Sequence, residues 1–220
     1  MITNIDLPAV GPVEITLDDL TPEDRSPRTF LLLHGGGGPA TMARFAGLLA
    51  ERTHARVLLP THPGFAGTPR PSGLASVKSL ALAYAALLDR VDATEVTVVG
   101  NSFGGWLAAE IGLLGHPRVR ELVLADAIGI EVAGHPVADV GTMTPAELAA
   151  HSWHDPSRAP QPRTGAGPDI GALLAYTGPV MADPTLPDRL RGLDLPVHVV
   201  WGDSDRIVDT AHAKAWVGAV

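Results

Sequence analysis

Val96-Thr97-Val98-Val99-Gly100-Asn101-Ser102-Phe103-Gly104-Gly105 is the stretch on which the reading of this chain turns. A β-branched run stops at Gly100, Ser102 follows, and a glycine pair opens an apolar segment, Phe103 to Leu114, with helical character. Strand, sharp turn and helix in that order is the context in which G-x-S-x-G has chemical meaning. A nucleophilic serine at the tip of a strained turn needs positive φ. The residues two positions to either side then approach so closely that only glycine fits. Backbone N–H groups opening the helix point at the same spot and favour negative charge there. Ser102 is thus the candidate nucleophile, and Gly105 lets the helix pack tightly on the sheet. The plainer alternative is a glycine-rich turn with an incidental serine.

Working outward, Phe30-Leu31-Leu32-Leu33 is an unbroken apolar run ending at His34-Gly35, as expected of a strand buried on both faces of a parallel sheet. Arg56 to Leu59, Leu122 to Leu124 and Val197 to Trp201 read as further strands. Helical patterns fill Pro39 to Arg52 and Ser76 to Val91, the latter with Ser76 or Ser79 as N-cap. This alternation predicts an α/β fold, a mostly parallel sheet with flanking helices and right-handed crossovers. The rhythm breaks between Ile128 and Leu195, where Pro156, Pro160, Pro162 and Pro168 crowd around Arg158, Arg163 and Gly165 to Gly167. Two short helical patches, Thr144 to His151 (Pro145 at its first position) and Asp169 to Tyr176, lie inside it. The expectation is an α/β core over 1–127 and 196–220 with a small inserted cap over 128–195, a decorated surface loop being the alternative.

The chain has 220 residues, 45% hydrophobic and 18% charged, enough for one well-buried domain. Its 24 Gly and 20 Pro are about twice the usual share, which suits tight strand–helix corners. The net charge is −8 and the only lysines are Lys78 and Lys214, so there is no electrostatic footprint for nucleic acid or an anionic membrane. With no cysteine, disulfides, thiolate zinc sites and a Cys nucleophile are excluded together. The first basic residue is Arg25 and the longest apolar run, Leu80 to Leu88, is far short of a membrane span. A cytoplasmic protein is the expectation.

Two more segments carry chemistry. His34-Gly35-Gly36-Gly37-Gly38 offers several unobstructed N–H groups to a ligand oxygen, the way an oxyanion hole is built. It lacks the Lys-Ser/Thr ending of a phosphate-binding loop. His34 is either a base or, as its position at the loop's opening favours, a brace that hydrogen-bonds backbone. Trp201-Gly202-Asp203-Ser204-Asp205-Arg206 follows the last strand, where carboxylates point into the crevice that binds ligands in such folds. Asp205 is placed to orient a histidine, and Asp203 to cap the helix beginning near Asp209.

The chain resembles the α/β-hydrolase superfamily over residues 25 to 217. The likeness is carried by Leu32-Leu33-His34-Gly35-Gly36, Pro63-Gly64-Phe65-Ala66-Gly67-Thr68, Gly100-Asn101-Ser102-Phe103-Gly104-Gly105 and Trp201-Gly202-Asp203-Ser204-Asp205-Arg206-Ile207-Val208. It is similar to the branch of meta-cleavage-product C–C hydrolases, esterases and cofactor-free haloperoxidase-like enzymes. The resemblance implies Ser102 as nucleophile, the N–H groups of Phe103 and Gly36 as oxyanion hole, and Asp205 as the acid. Asp126, ending the Leu122 to Leu124 strand, is the rival acid. A serine at the elbow argues against the haloalkane dehalogenase and epoxide hydrolase branches. The implied substrate is a small acyl compound with an ester, thioester or C–C bond to break, and no metal or organic cofactor is implied. His34, Gly35, Trp153, Tyr176 and Met181 are the expected substrate contacts, the last three from the cap. His151 and His154 lack a third ligand and read as polar surface or pocket groups.

The departure lies at the end of the chain. The family's general base is a histidine in a Gly-His loop after one more strand, and here the chain stops at Val220, after a helical stretch Thr210 to Val217. Among the other histidines His198 reads as buried in its strand, and His62, in a loop at the Ser102 end of the sheet, is the least poor substitute. The expectation is a C-terminally incomplete hydrolase with esterase activity near background, self-associating through the Val197 to Val200 edge or poorly stable. A non-catalytic protein that only binds a small apolar ligand is the alternative, and a regulator acting through its cap a weaker one.

Overall fold

A computed structural model describes residues 1–159 and 169–220. Pro160, Pro162, Arg163, Gly165 to Gly167 and Pro168, singled out above, lie outside the described residues. Within them the chain forms a seven-stranded sheet in the order β1-β2-β4-β3-β5-β6-β7. The strands are β1 (Ile2–Leu7), β2 (Gly11–Leu20), β3 (Thr29–Leu33), β4 (Arg56–Thr61), β5 (Val96–Asn101), β6 (Val119–Ala125) and β7 (Val197–Val200). β2 pairs antiparallel with β1 and with β4, and every other pairing is parallel. The expected α/β class and all five expected strands are present.

The antiparallel pair β1–β2 is an addition to the sequence reading. Val13, Ile15 and Leu17 are fully buried while Glu14 between them is exposed, the alternation of a strand with one face on the core. β3 sits mid-sheet and all five of its residues are buried. Its two faces feed separate layers. Phe30 and Leu32, with Val57 and Leu59 of β4, pack on α1 (Ala43–Thr53), which follows a short 3₁₀ turn, Pro39–Thr41. Leu31, Leu33, Leu58, Val98, Leu122 and Leu124 form the larger core on the other face with α2 (Val77–Arg90) and α3 (Phe103–Leu113). α2 starts where its sequence says it should, in a capping box between Ser76 and Ser79.

The connection between β6 and β7 carries α4 (Pro145–Ser152), α5 (Ile170–Thr177) and α6 (Leu186–Leu190), the last not foreseen. α4 opens in a second capping box, Thr144 with Glu147. α7 (Thr210–Ala219) follows β7 and is capped by Asp209, whose carboxylate accepts from Ala211 N–H, rather than by Asp203. The reading of His198 as buried is also corrected. It lies on the open face of β7 beside Val200, which is 53% exposed, and hydrogen-bonds Glu121 at 2.9 Å. A four-residue aliphatic strand suits burial on both faces, but at the end of the described sheet only Val197 and Val199 meet the core. Among the described residues no helix is long and apolar enough to cross a membrane.

Candidate active site

Ser102 leaves β5 at φ 55° and ψ −115°, and α3 begins at the next residue. The glycines that flank it are required by contact. A Cβ on Gly100 would lie 2.0 Å from the carbonyl oxygen of Gly104, and one on Gly104 would lie 2.0 Å from that of Leu33. Real Cβ atoms do not approach oxygen so closely, so β3, β5 and α3 can meet only with bare backbone here. Ser102 is fixed on both sides by its backbone, its N–H donating to Ala125 O at 2.8 Å and its carbonyl accepting from Gly105 N–H at 2.9 Å.

The glycine loop after β3 folds against this turn. A Cβ on Gly35 would stand 3.0 Å from Ser102 Cβ, so the loop passes within contact of the serine. Among the described residues neither the N–H of Phe103 nor that of Gly36 has a protein acceptor. Phe103 N–H opens an eleven-residue buried helix, whose dipole favours negative charge at that end. The β6–β7 connection lies over the loop: Asp169 N–H donates to Gly36 O at 2.9 Å, and its carboxylate accepts from Ala66 N–H at 2.9 Å. Leu173 of α5 would be 3.4 Å from a Cβ on Gly36. Tyr176 is buried, stacks on Phe103 with ring centroids 5.8 Å apart, and donates its hydroxyl to Pro63 O at 2.8 Å.

His34 and His62 sit beneath the loop, both fully buried with ring centroids 3.8 Å apart. His34 Nδ1 meets Gly35 O at 2.8 Å and its Nε2 meets His62 N–H at 3.1 Å. Since a carbonyl only accepts and an amide only donates, His34 is the neutral Nδ1–H tautomer. His62 Nε2 meets His34 O at 2.9 Å, so it donates there, and its Nδ1 accepts from the buried Tyr84 hydroxyl at 2.5 Å. His34 is therefore a brace of the glycine loop. It is not the expected substrate contact, because both ring nitrogens are committed and no surface remains. His62 is removed as a substitute base for the same reason.

Burial pushes the His34 imidazole down to about 4 against the opposing pull of the Gly35 carbonyl and Asp169. Burial and the neighbouring His34 ring push His62 well below its ordinary value. A histidine whose native pKa is depressed from 6.5 contributes stability that is whole above that value and is lost as pH falls towards the native one. The shift of His34 alone predicts a loss of roughly 2 kcal/mol between pH 7 and pH 5. Asp126 and Asp205, whose carboxyls are shifted up, act in the opposite sense nearer pH 4, so the slope is to be read above pH 5. Urea unfolding at pH 7, 6 and 5 measures it, and a flat profile would contradict the buried neutral pair.

The two acidic candidates flank Gly202. Asp126 follows β6 at φ 47° and accepts from Gly202 N–H at 2.8 Å. Asp205 accepts from Ile207 and Val208 N–H at 2.7 and 3.0 Å. Burial raises both carboxyls, and the charge of Asp205 raises Asp126 further. Of the remaining candidates, Trp153 is 43% exposed at the end of α4, outside the aromatic group around Phe103, and Met181 is half-buried against the main core. His151 bonds Glu147 O and His154 bonds Ser204, and the described residues hold no metal-binding cluster. Among the described residues none of the nine histidines hydrogen-bonds the Ser102 hydroxyl.

A mostly parallel sheet, a serine on a positive-φ strand–helix turn and a glycine loop against it define a class. The alpha/beta hydrolase family profile matches residues 30–220, and the chain belongs to that family. A 2-hydroxy-6-oxo-2,4-heptadienoate hydrolase of Pseudomonas putida is 38% identical over 103 residues, 46% of this chain and 37% of its own length. The chain thus spans little more than a third of the curated relative it matches. A solved meta-cleavage product hydrolase from Pseudomonas fluorescens superposes with a TM-score of 0.71 at 21% identity, covering 99% of this chain and 85% of that one. An esterase from Thermogutta terrifontis gives 0.74 at 20% identity, covering 100% and 86%. At those identities the solved structures speak for the fold alone.

Proposed function

We propose that the chain is a serine hydrolase acting on an ester, thioester or C–C bond of a small acyl compound, with Ser102 as nucleophile. The observation that carries this reading is the Ser102 turn at φ 55°, ψ −115°, followed by the N–H of Phe103 and faced by the glycine loop, where neither that N–H nor the N–H of Gly36 has an acceptor among the described residues. Ser102 Oγ attacks the acyl carbon, and the charge gathering on the former carbonyl oxygen is held by those two N–H groups. The β6–β7 connection serves as the cap, with Asp169 and Leu173 of its α5 region lying against Gly36. Asp205 is preferred as the acid on its G-x-x-D context, with Asp126 as its rival. The hydroxyl proton needs an acceptor, and general-base help is worth ~10²–10⁴-fold. Among the described residues no histidine hydrogen-bonds the Ser102 hydroxyl, so these residues by themselves are expected to turn over slowly.

A second reading is a protein that binds a small apolar acyl ligand without turning it over. One experiment separates the two. Incubation with a fluorophosphonate over hours, followed by peptide mass spectrometry, should place a single adduct on Ser102 that is absent from Ser102→Ala. Asp205→Asn should slow labelling more than Asp126→Asn, and the reverse order makes Asp126 the acid. An equally labelled Ser102→Ala sinks the nucleophile assignment, and saturable ester binding without any adduct favours the binding protein.

A further inference from the structure

We propose that Tyr84 is a positioning residue for the oxyanion loop, acting through His62 and His34 over a chain of buried hydrogen bonds. The proposal deepens the hydrolase reading and rests on Gly36 N–H facing the reacting oxygen. Tyr84 is on α2, His62 just after β4, and His34 at the end of β3, so three separate elements meet at one loop. Each link has one polarity. Tyr84 O–H donates to His62 Nδ1 at 2.5 Å, His62 Nε2–H donates to His34 O at 2.9 Å, and His34 Nδ1–H donates to Gly35 O at 2.8 Å. A fourth bond, His62 N–H to His34 Nε2 at 3.1 Å, closes a ring between the two histidines.

Of the three side-chain donors in these links, only the phenol does not itself depend on a tautomer. Without it, His62 can carry its proton on Nδ1, and Nε2 would then turn a lone pair towards the His34 carbonyl. The two successive peptides on either side of Gly35, held by the carbonyls of His34 and Gly35, then lose the grip on the first of them and with it their registration. Gly35 lies against Ser102 and Gly36 follows it, so a small rotation there moves the N–H that is to meet the oxyanion. All four side-chain contacts are buried, and Phe65 and Phe103 pack edge-on against His62. Water therefore has no room to substitute for the lost donor.

Tyr84→Phe keeps the ring and removes only the donor. Leu87→Val, on the same helix and fully buried, supplies a packing loss of comparable size without touching the chain. In the unmodified protein, ¹⁵N spectra of the imidazoles should show His34 protonated at Nδ1 and His62 at Nε2. In Tyr84→Phe the His62 signals should report mixed tautomers. Gly38 N–H, which bonds Gly35 O at 3.1 Å, should exchange at least about tenfold faster, and fluorophosphonate labelling of Ser102 should slow by about tenfold. Leu87→Val should alter none of the three. Unchanged tautomers and Gly38 exchange in Tyr84→Phe would overturn the proposal, as would equal effects in Leu87→Val. If Ser102 takes no label in the unmodified protein, the hydrolase reading fails, while the tautomers and Gly38 exchange still decide the role of Tyr84.

Discussion

Gly104→Ala should cost at least about 4 kcal/mol, enough to leave little folded protein, although it adds one methyl group. The added carbon would sit 2.0 Å from Leu33 O and 2.9 Å from His34 O, both backbone atoms of β3 and the loop after it. Neither is the movable end of a side chain. Relief requires α3 to back away from β3 by about an ångström, which opens the packing of α3 on the sheet and drags Ser102 from its turn. Gly47→Ala is the counterpart. Gly47 lies within α1, has helical backbone and has nothing within 4 Å of a new Cβ. There the methyl group should stabilise by about 0.5–1 kcal/mol through helix propensity. Urea midpoints of both variants test the pair, and a Gly104→Ala protein within 1 kcal/mol of the parent refutes the contact argument. What distinguishes the two sites is where a carbon atom would go, since glycine is common to both.

That contrast explains why the elbow was legible in the sequence. Its constraints fall on five consecutive residues, Gly100 against Gly104 and Gly104 against the end of β3, so the spacing of Gly100, Ser102 and Gly104 records them directly. The central strands were legible for a related reason: burial on both faces leaves continuous aliphatic runs such as Phe30 to Leu33. β1 and β2 hid because strands buried on one face alternate, and their apolar residues are diluted by Thr, Asn, Asp and Glu. The period-two signal at Val13, Ile15 and Leu17 was there to be read. The partners of His34 were not available in the same way. His62 lies 28 residues on and Tyr84 a further 22, and only the adjacency of β3 and β4 brings the imidazoles together. In the sequence His62 is the least poor substitute base, because a loop position at the Ser102 end of the sheet says nothing about what covers it. The carboxylate of Glu110, buried in the middle of α3, also gave no local sign of its partner.

Arg189→Met should cost about 3–5 kcal/mol by abandoning that carboxylate. Glu110 is 4% exposed at its side chain and accepts from both Arg189 terminal nitrogens at 2.7 Å, a bidentate pair, and from Trp106 Nε1–H at 3.2 Å. Arg189 reaches on to Asp183 at 2.9 Å, and Lys78 of α2 meets the same carboxylate at 3.0 Å. Burial pushes the Asp183 carboxyl up, but hydrogen bonds from Thr185 and Lys78 outweigh it and hold the group well below the ordinary carboxylate range. The network gathers both ends of the β6–β7 connection onto α3. Asp183 N–H donates to Gly129 O, and a Cβ on Gly129 would strike the Trp106 ring at 2.6 Å. An ion pair this buried is weak evidence of net stabilisation, because desolvation offsets most of the attraction. The penalty belongs to breaking it from one side. Hence Glu110→Leu combined with Arg189→Met should recover most of what Arg189→Met alone loses, ending within about 1–2 kcal/mol of the parent. Hydrogen exchange should rise first near Gly129 and Ala182, which bridge each other at the two ends of the connection. If the single variant unfolds like the parent, or the double variant is no better than the single, the carboxylate is solvated by some other route and α3 does not hold the connection through this pair.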